Sequence, residues 1–410
     1  MPSVALDGEP VPRTGDLPEP SLAQLGERPL GFYVHVPFCV TRCGYCDFNT
    51  YTADELVSRD GTATASRETY AGQAAAEVEL ADRVLTGDRP RVSTVFVGGG
   101  TPTLLSPEDL GRVVGEIRDR FGLTPDAELT TEANPETVDP DYLARLRAAG
   151  FTRVSFGMQS ARPHVLRILE RGHTPGRPEQ CVRWARQAGF EHVNLDLIYG
   201  TPGESDEDWA ASLEAAIGAG PDHVSAYSLI VEEGTRLAAR VRRGELTEPD
   251  DDTMADRYLM ADEALAGAGY TPYEVSNWAR SPEGRSAHNM LYWTGGHWWG
   301  VGPGAHSHVG GTRWWNVKHP AAYAARLAAG DSPAQAREVL TAAERRFERV
   351  LLELRVDGGC PLDLLDARGL AAAERLVGEG LLDAGAHAGG RAALTRRGRL
   401  LADAVVRDLT

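Results

Sequence analysis

The chain has 410 residues, of which 42% are hydrophobic, so it can bury a large core and has the length of about two or three domains. Its 59 acidic side chains outnumber its 42 basic ones, which gives a formal net charge of −17 at pH 7. A protein that binds bulk DNA or RNA needs a basic face, so this balance argues against nucleic acid as the main partner. The absence of any run of about 18 apolar residues predicts no membrane-spanning segment. Five cysteines are too few for a disulfide framework and predict a protein of the reducing cytoplasm.

The first half of the chain shows a regular alternation of patterns. Residues 1–28 are rich in proline, glycine, serine and acidic side chains and predict a flexible N-terminal extension. Over residues 29–240, short β-branched or aromatic runs alternate with helical patterns, which predicts parallel strands joined by crossover helices. Six such units are fewer than the eight of a closed barrel, so we expect an α/β fold built as a partial, TIM-like (β/α)6 barrel. The six predicted strands are residues 32–36, 92–97, 127–131, 151–157, 190–199 and 222–229.

The composition changes after about residue 240. We expect an added α+β lobe over residues 241–335, with helical signal at 252–267 and a strand-like run at 270–275. Residues 288–319 hold five of the 11 histidines and five of the eight tryptophans, with many glycines and little helical period. This bias marks the segment as a candidate binding surface.

The last part of the chain, residues 336–410, predicts a winged-helix-like module of two helices, a short strand pair and a closing helix. A winged helix raises DNA binding as an option. Residues 341–410 carry 11 basic and 11 acidic side chains, so the basic footprint of a DNA-binding module is missing. An interaction or packing module is the better interpretation.

The strongest chemical signal is the spacing C-x3-C-x2-C of Cys39, Cys43 and Cys46. A structural zinc site normally needs four ligands, and the remaining Cys181 and Cys360 stand alone. A closed [4Fe–4S] cluster needs four thiolates, so three thiolates on one loop leave one iron open to a substrate. A molecule with an amino and a carboxylate group, such as S-adenosylmethionine, could occupy that position. The spacing favours an iron–sulfur site, with zinc or coincidence as the alternative.

These residues resemble the radical S-adenosylmethionine (SAM) superfamily. Within it they resemble the branch that contains oxygen-independent coproporphyrinogen III oxidases and HemW-type haem chaperones. The resemblance covers most of the chain and implies a radical SAM barrel that holds a [4Fe–4S] cluster and SAM. The motifs that carry it are residues 33–39 (YVHVPFC), 43–48 (CGYCDF), 98–103 (GGGTPT), 131–136 (TEANPE), 153–160 (RVSFGMQS), 171–173 (RGH), 196–203 (DLIYGTPG) and 288–293 (HNMLYW).

The resemblance assigns the methionine part of SAM to two groups of residues. It implies that Gly99, Gly100 and Thr101 contact the methionine amino group, and glycine at a strand end lets backbone N–H groups approach a ligand closely. It also implies that Glu132 and Arg171 hold the methionine moiety. Each lies at or just beyond the end of a predicted strand unit, where a barrel collects its site residues.

The remaining SAM contacts follow from the same resemblance. Gln159 and Asp196 are expected to face the ribose end, while Tyr33 and Tyr45 are expected to pack near the cofactor and the cluster. A single carboxylate at a strand end is as often a structural cap or an ion pair as a ligand. The joint occurrence of these residues in the expected units favours the functional interpretation.

The sequence departs from the oxidases at one position of the cluster loop. The oxidases have a further cysteine two positions after the third cluster cysteine, where this chain has Phe48. The haem chaperones of the branch carry Asp-Phe there as well, and the missing thiol puts oxidase activity in doubt. The resemblance therefore favours a chaperone that holds the cluster and SAM and transfers haem. The alternative is an oxygen-independent coproporphyrinogen III dehydrogenase.

Haem is a flat apolar macrocycle with two anionic edges and an iron that takes an axial ligand. His288 is the first candidate for that ligand, and His297, His306 and His308 are rivals from the same segment. In a blander interpretation, the aromatic side chains pack this lobe against the barrel and the histidines bond to backbone. The H-N-x-x-Y-W element that the chaperones associate with haem matches His288, Asn289, Tyr292 and Trp293.

The chaperone expectation also implies partners. These are haem itself and haem-accepting proteins, membrane-bound respiratory proteins and haem-storage proteins among them. A homodimer linked through the cluster is left open. We expect His35 to order the cluster loop, and we expect Cys181, inside a helical pattern over residues 177–188, to be a buried thiol outside the site.

Overall fold

The computed structural model describes residues 8–56, 65–248 and 250–410. Within these residues, twelve strands form one mixed sheet and two short strands form a second. The strands are β1 (Leu30–Val36), β2 (Val92–Gly99), β3 (Leu123–Ala133), β4 (Arg153–Gln159), β5 (His192–Tyr199), β6 (His223–Ser228), β7 (Thr271–Pro272), β8 (Asn277–Ala279), β9 (His297–Val301), β10 (His306–Val309), β11 (Thr312–Asn316), β12 (Ala334–Val339), β13 (Cys360–Pro361) and β14 (Arg391–Ala392).

Helices connect the parallel strands, as the alternation predicts. The caps read from the sequence are present: Ser106 accepts a hydrogen bond from the Asp109 nitrogen, and Ser205 forms a capping box with Asp208. The helices are α1 (Glu19–Leu22), α2 (Arg67–Val84), α3 (Pro107–Phe121), α4 (Pro140–Ala148), α5 (Pro163–Ile168), α6 (Arg177–Ala188), α7 (Asp206–Ala219), α8 (Arg236–Arg242), α9 (Asp251–Gly267), α10 (Ala287–Trp293), α11 (Pro320–Ala328), α12 (Ala342–Glu353), α13 (Ala367–Gly378), α14 (Ala384–Ala388), α15 (Arg396–Leu400) and α16 (Ala402–Leu409).

The six predicted strands are the six parallel strands β1 to β6, and they lie side by side in chain order. The complete order of the large sheet is β12-β11-β10-β9-β1-β2-β3-β4-β5-β6-β8-β7. The α/β class and the six-stranded partial barrel are thereby confirmed. Because parallel strands end at the same edge, the loops after β1 to β5 meet at one mouth.

The His/Trp-rich segment extends this sheet. β9 pairs in parallel with β1, and β10, β11 and β12 continue the sheet as antiparallel neighbours. Its tryptophans Trp299 and Trp314 belong to the same apolar core as β1 to β6. The sequence also gave little sign of a helix here, whereas the structure has α10.

The predicted loose extension is packed from residue 8 onward. Glu9 pairs with Arg337 of β12, Arg13 bonds to Asp331, and Leu25 is buried in the main core. This packing covers the edge strand of the sheet, which limits the unpaired backbone that an edge exposes. Residues 1–7 of the predicted extension lie outside the described residues.

The C-terminal region has its own apolar core, which includes Val350, Leu376 and Val405. Within the predicted wing, Leu382 pairs with Leu394 in an antiparallel bridge, and β14 also pairs with β13, which precedes α13. No helix in the described ranges is long and apolar enough to cross a membrane.

Candidate functional site

The inner face of the barrel is polar over much of its depth. Side chains alternate along a strand, so Thr130 and Glu132 of β3 face inward together, as do Asn194 and Asp196 of β5. These four residues line a cavity of about 140 Å³. Barrel interiors are normally filled by branched apolar side chains, so a polar interior indicates a binding site.

The loop after β1 carries the three predicted cluster cysteines. Backbone hydrogen bonds hold it at two points, from Cys39 N to Tyr51 O at 3.0 Å and from Gly44 N to Leu169 O at 3.0 Å. His35 fixes the loop as expected: its Nε2 lies 2.9 Å from the Asn49 carbonyl oxygen, and its Nδ1 lies 3.0 Å from the Tyr33 hydroxyl. With Nε2–H donating to the carbonyl, Nδ1 accepts the bond from the phenol.

The three cysteines are free thiols, each half-buried. Burial raises the pKa of Cys46 to about 11, and repulsion from Cys43 and Cys39 adds to the rise. Three soft sulfur donors within electrostatic reach of one another are the ligand set that an iron–sulfur cluster uses. The described residues hold no three His, Cys, Asp or Glu side chains already gathered around one point, so we expect the thiols to turn toward iron when it binds. Cys181 is fully buried in α6, away from this loop.

The glycine segment at the end of β2 packs directly on the cluster loop. Gly99 has φ +109°, and a Cβ there would lie 2.7 Å from the His35 ring, so only glycine fits. The segment's N–H groups have protein acceptors: Gly100 donates to Val36 O and Thr101 to Phe38 O, both at 2.8 Å. This corrects the expectation that these N–H groups approach a ligand. An ammonium group donates hydrogen bonds, so carbonyl and hydroxyl oxygens are the atoms that suit it.

Two carboxylates face one guanidinium in the mouth of the barrel. The pKa of Glu132 is raised to about 8, mainly by burial and then by repulsion from Asp196. The hydrogen bond from Gly99 N lowers the pKa by a smaller amount. Asp196 accepts hydrogen bonds from Ser155 at 2.7 Å and from Asn194 at 2.8 Å, and burial raises its pKa. A cationic ligand between these two acidic groups would be favoured, and it would stabilise the ionised form of Glu132.

Arg171 lies between these carboxylates and the cluster loop. Its Nη1 is 3.7 Å from Cys43 Sγ, and its Nη2 donates to the Gly157 carbonyl at 3.1 Å. Glycine at position 157 leaves the room that this approach needs. Tyr45 lies close to Arg171. Burial raises the pKa of Tyr45, and the positive charge of Arg171 opposes that rise. A guanidinium beside the thiols can hold the carboxylate of a ligand bound at the cluster.

Gln159 stands at the end of β4 in an unusual backbone conformation. Its φ is +64°, a left-handed value that few side chains adopt, and a register shift in the pairing of β4 with β5 accompanies it. Strained residues of this kind concentrate at ligand sites. Its side chain is almost buried, at 8% exposure.

His288 lies inside the barrel, at 1% exposure. Its Nδ1 is 2.8 Å from Thr94 Oγ1, its Nε2 is 2.7 Å from the Tyr292 hydroxyl, and its ring stacks on Phe96. Burial lowers its pKa to about 3. Both ring nitrogens already have partners, which counts against the expectation that His288 offers an axial ligand. Asn289 lines the same cavity, while Trp293 follows half-buried at the end of α10.

Sequence reasoning missed the lower layer of this cavity. Thr130 and Asn194 stand two residues before Glu132 and Asp196, and His223 pairs with Asn194 in the neighbouring strand. The two-residue period of a strand was the signal that could have found them. These three residues lie below the carboxylates, so the cavity extends deeper into the barrel than the motif residues alone indicate.

The comparisons with known proteins agree with this geometry. Residues 33–216 match the family described as the Radical SAM superfamily. The structure is similar to that of coproporphyrinogen III oxidase (HemN) from Escherichia coli, a radical SAM enzyme, with a TM-score of 0.79 over 95% of this chain and 92% of that one. The identity is 24%, so this likeness shows the fold alone. The barrel and its cysteine loop are thus those of a radical SAM protein.

Longer sequence matches define the family more narrowly. The chain is 55% identical to "Heme chaperone HemW" of Mycobacterium tuberculosis over 392 residues, which are 95% of this chain and 97% of the relative. It is 32% identical to "Heme chaperone HemW" of Bacillus subtilis, over 80% of this chain and 83% of that protein. The HemW of Escherichia coli is 36% identical over 68% of this chain. The chain belongs to the HemW heme chaperone family.

Proposed function

We propose that this chain is a haem chaperone that binds haem and transfers it to haem-requiring proteins. The observation that carries the proposal is the 55% identity to a HemW over 95% of the chain, because that match extends far beyond residues 33–216 of the radical SAM region. It therefore includes most of the His/Trp-rich segment and the C-terminal region.

In this function the cluster loop holds a [4Fe–4S] cluster through Cys39, Cys43 and Cys46. A [4Fe–4S] cluster held by three thiolates would have one iron without a protein ligand, and with a reductant it would supply the electron for reductive cleavage of SAM. We assign Arg171, beside Cys43, to the SAM carboxylate and Glu132 to the ammonium group, and the Arg171–Cys43 contact and the buried Glu132 carboxylate support this. These roles follow from charge: a guanidinium suits a carboxylate, and a carboxylate suits an ammonium.

The other SAM contacts are assigned by position in the barrel mouth. Asp196 has its carboxylate oriented by Ser155 and Asn194, which suits it to accept hydrogen bonds from the ribose hydroxyls. Gln159 lies at the end of the neighbouring strand. The other residues assigned to SAM are Gly99, Gly100, Thr101, Tyr33 and Tyr45.

We place haem transfer in the cytoplasm, with membrane-bound respiratory proteins and haem-storage proteins among the acceptors. A homodimer joined at the clusters is part of the proposal. The cluster loop supports it, because Val40 and Phe48 are 71% and 57% exposed there and offer apolar contact to a partner.

A second candidate function is that of an oxygen-independent coproporphyrinogen III dehydrogenase. The observation in its favour is the complete group of Glu132, Arg171 and Asp196 around the cluster loop. The observation against it is Phe48, which stands where the oxidases carry an additional cysteine.

One experiment separates the two functions. The reconstituted protein is incubated anaerobically with SAM, a reductant and coproporphyrinogen III, and the products are measured by mass spectrometry. In parallel, haem-loaded protein is mixed with apomyoglobin and transfer is followed in the Soret band. The proposal expects haem binding and transfer without decarboxylation. Repeated formation of protoporphyrinogen with loss of two CO2 would replace it with the dehydrogenase.

A further inference from the structure

The inner face of the barrel continues past β1 onto β9, β10 and β11. Trp298 pairs with Gly31 and Gly300 pairs with Tyr33 in parallel register, so Trp298 points to the same side as Tyr33, which lines the cavity. Trp298 and three further half-buried side chains on this side form a surface that we call the imidazole–indole face. It consists of Trp298, His306, His308 and Trp315, and Arg313, opposite His308, lies on the same side.

Cross-strand contacts join the rings of this face in two pairs. His306 is paired with Trp315, and their rings stack with centroids 5.9 Å apart and planes 24° apart. His308 is paired with Trp298, with ring centroids 5.1 Å apart. Trp298 in turn contacts Tyr292 of α10. A face of this composition offers apolar area to a flat ligand together with nitrogen donors.

The two imidazoles of the face differ from His288 in what their nitrogens do. His308 has Nδ1 3.1 Å from the Gly296 carbonyl oxygen, and the ring of His306 makes no hydrogen bond to any residue in the described ranges. Burial and the nearby cations Lys318 and Arg313 lower the pKa of His306. The ring is therefore neutral at pH 7, and its nitrogen lone pair is available to a metal.

The same neighbourhood contains a lysine that forms no ion pair with any described carboxylate. Arg313 is engaged by Glu338 and Glu348, whereas exposed Lys318 has no ion pair to any carboxylate in the described part of the chain. Its backbone carbonyl accepts a hydrogen bond from Asn49 at 2.8 Å, which places Lys318 against the cluster loop. The face thus adjoins the cluster loop and has, among the described residues, an unpaired positive charge at its border.

We propose that haem binds on the imidazole–indole face, with its iron ligated by His306, its ring beside the edge of Trp315 and a propionate at Lys318. This inference rests on the proposed haem-chaperone function and moves the axial ligand from His288 to His306. An iron porphyrin has an apolar ring that suits the indoles, an iron that suits the imidazole and anionic edges that suit the lysine.

The test is a titration of the full-length protein with ferric haem, followed in the Soret band. His306→Ala should weaken binding at least tenfold and change the axial-ligand spectrum, and free imidazole in the buffer should restore that spectrum. His387→Ala, in α14 of the C-terminal region, is the matched control and should keep both affinity and spectrum. An unchanged His306→Ala protein, or a loss confined to His308→Ala, would overturn the assignment.

A second measurement does not depend on how well His306→Ala folds. Lys318 is the single lysine of the chain, so amine acylation followed by mass spectrometry reports on one side chain besides the N-terminus. Ferric haem should protect Lys318 in the unsubstituted protein, and Lys318→Met should weaken binding without changing the axial-ligand spectrum. Acylation of Lys318 at the same rate with bound haem would contradict the proposed position. If the unsubstituted protein binds no haem, the chaperone function fails and this inference fails with it.

Discussion

The carboxylate of Glu132 accepts a hydrogen bond from the backbone nitrogen of Gly99 across 3.1 Å. This bond joins the end of β3 to the glycine segment that packs on the cluster loop. Burial and the nearby Asp196 carboxylate hold the pKa of Glu132 at about 8, so the group is mostly protonated at pH 7 before a ligand binds. A cation that approaches it must displace that proton.

This gives a prediction for SAM binding, since SAM carries an ammonium and a sulfonium group. Binding at pH 7 should release up to one proton, and the affinity should rise with pH through about 8, by at most about tenfold per pH unit. Calorimetry of the cluster-loaded protein in buffers of different ionisation enthalpy measures the proton count. Glu132→Gln is the control and should bind more weakly, with no proton release from this site. Equal proton release by both proteins would remove Glu132 from the amino-group site.

The cysteine assignments predict a clear difference between two serine variants. Cys43→Ser should abolish assembly of the cluster, because it removes one of only three thiolates on the loop and leaves two iron positions open. Cys181→Ser, in buried α6, is the matched control and should assemble the cluster at the level of the unsubstituted protein. Iron and sulfide analysis after anaerobic reconstitution checks both. Normal iron and sulfide in Cys43→Ser would refute the ligand assignment.

The sequence was informative where the signal is local. Strands β1 to β6 follow from β-branched runs, and the cysteine loop follows from a spacing. The pairing of β9 with β1 could not be predicted from local patterns, because it joins Trp298 to Gly31, which are far apart in the sequence. Helix α10 was missed for a related reason: its first nitrogens donate to Glu128, a carboxylate far away in sequence that caps the helix only in the fold.

A buried carboxylate connects the first crossover helix to the added strands. Glu77 of α2 accepts hydrogen bonds from Gly302 N at 2.7 Å, from Asn316 at 2.7 Å and from the Tyr323 hydroxyl at 2.6 Å. Glu77→Ala should lower the free energy of unfolding by about 3 kcal/mol or more, since it removes the acceptor of the Gly302 N–H and of the Tyr323 hydroxyl and one of the bonds that Asn316 makes. Glu79→Ala, exposed on the same helix, should cost less than about 0.5 kcal/mol. Denaturant titration measures both, and equal costs would contradict the role of Glu77.

Glu77 also predicts how stability depends on pH. Burial raises its pKa from 4.5 to about 7, so the folded state keeps this proton at pH values where the unfolded state has lost it. The resulting stabilisation is complete below about pH 4.5 and is lost as the pH rises through 7, with a slope of at most about 1.4 kcal/mol per pH unit. The difference in unfolding free energy between the unsubstituted protein and Glu77→Ala should therefore decrease over this range. A constant difference would show that the pKa of Glu77 is the same in the folded and the unfolded protein.

The last prediction concerns the role of His288. Both of its ring nitrogens are bonded inside the barrel, so His288→Ala should leave the Thr94 and Tyr292 hydroxyls unpaired and create a cavity beside Phe96. The free energy of unfolding should fall by about 2 to 4 kcal/mol, while haem affinity should stay within about threefold of the unsubstituted protein. His319→Ala, on the surface at the start of α11, should cost only about 1 kcal/mol. Unchanged stability together with a lost Soret band would instead identify His288 as the haem ligand, because a ligand to an external molecule contributes little to the folding of the free protein.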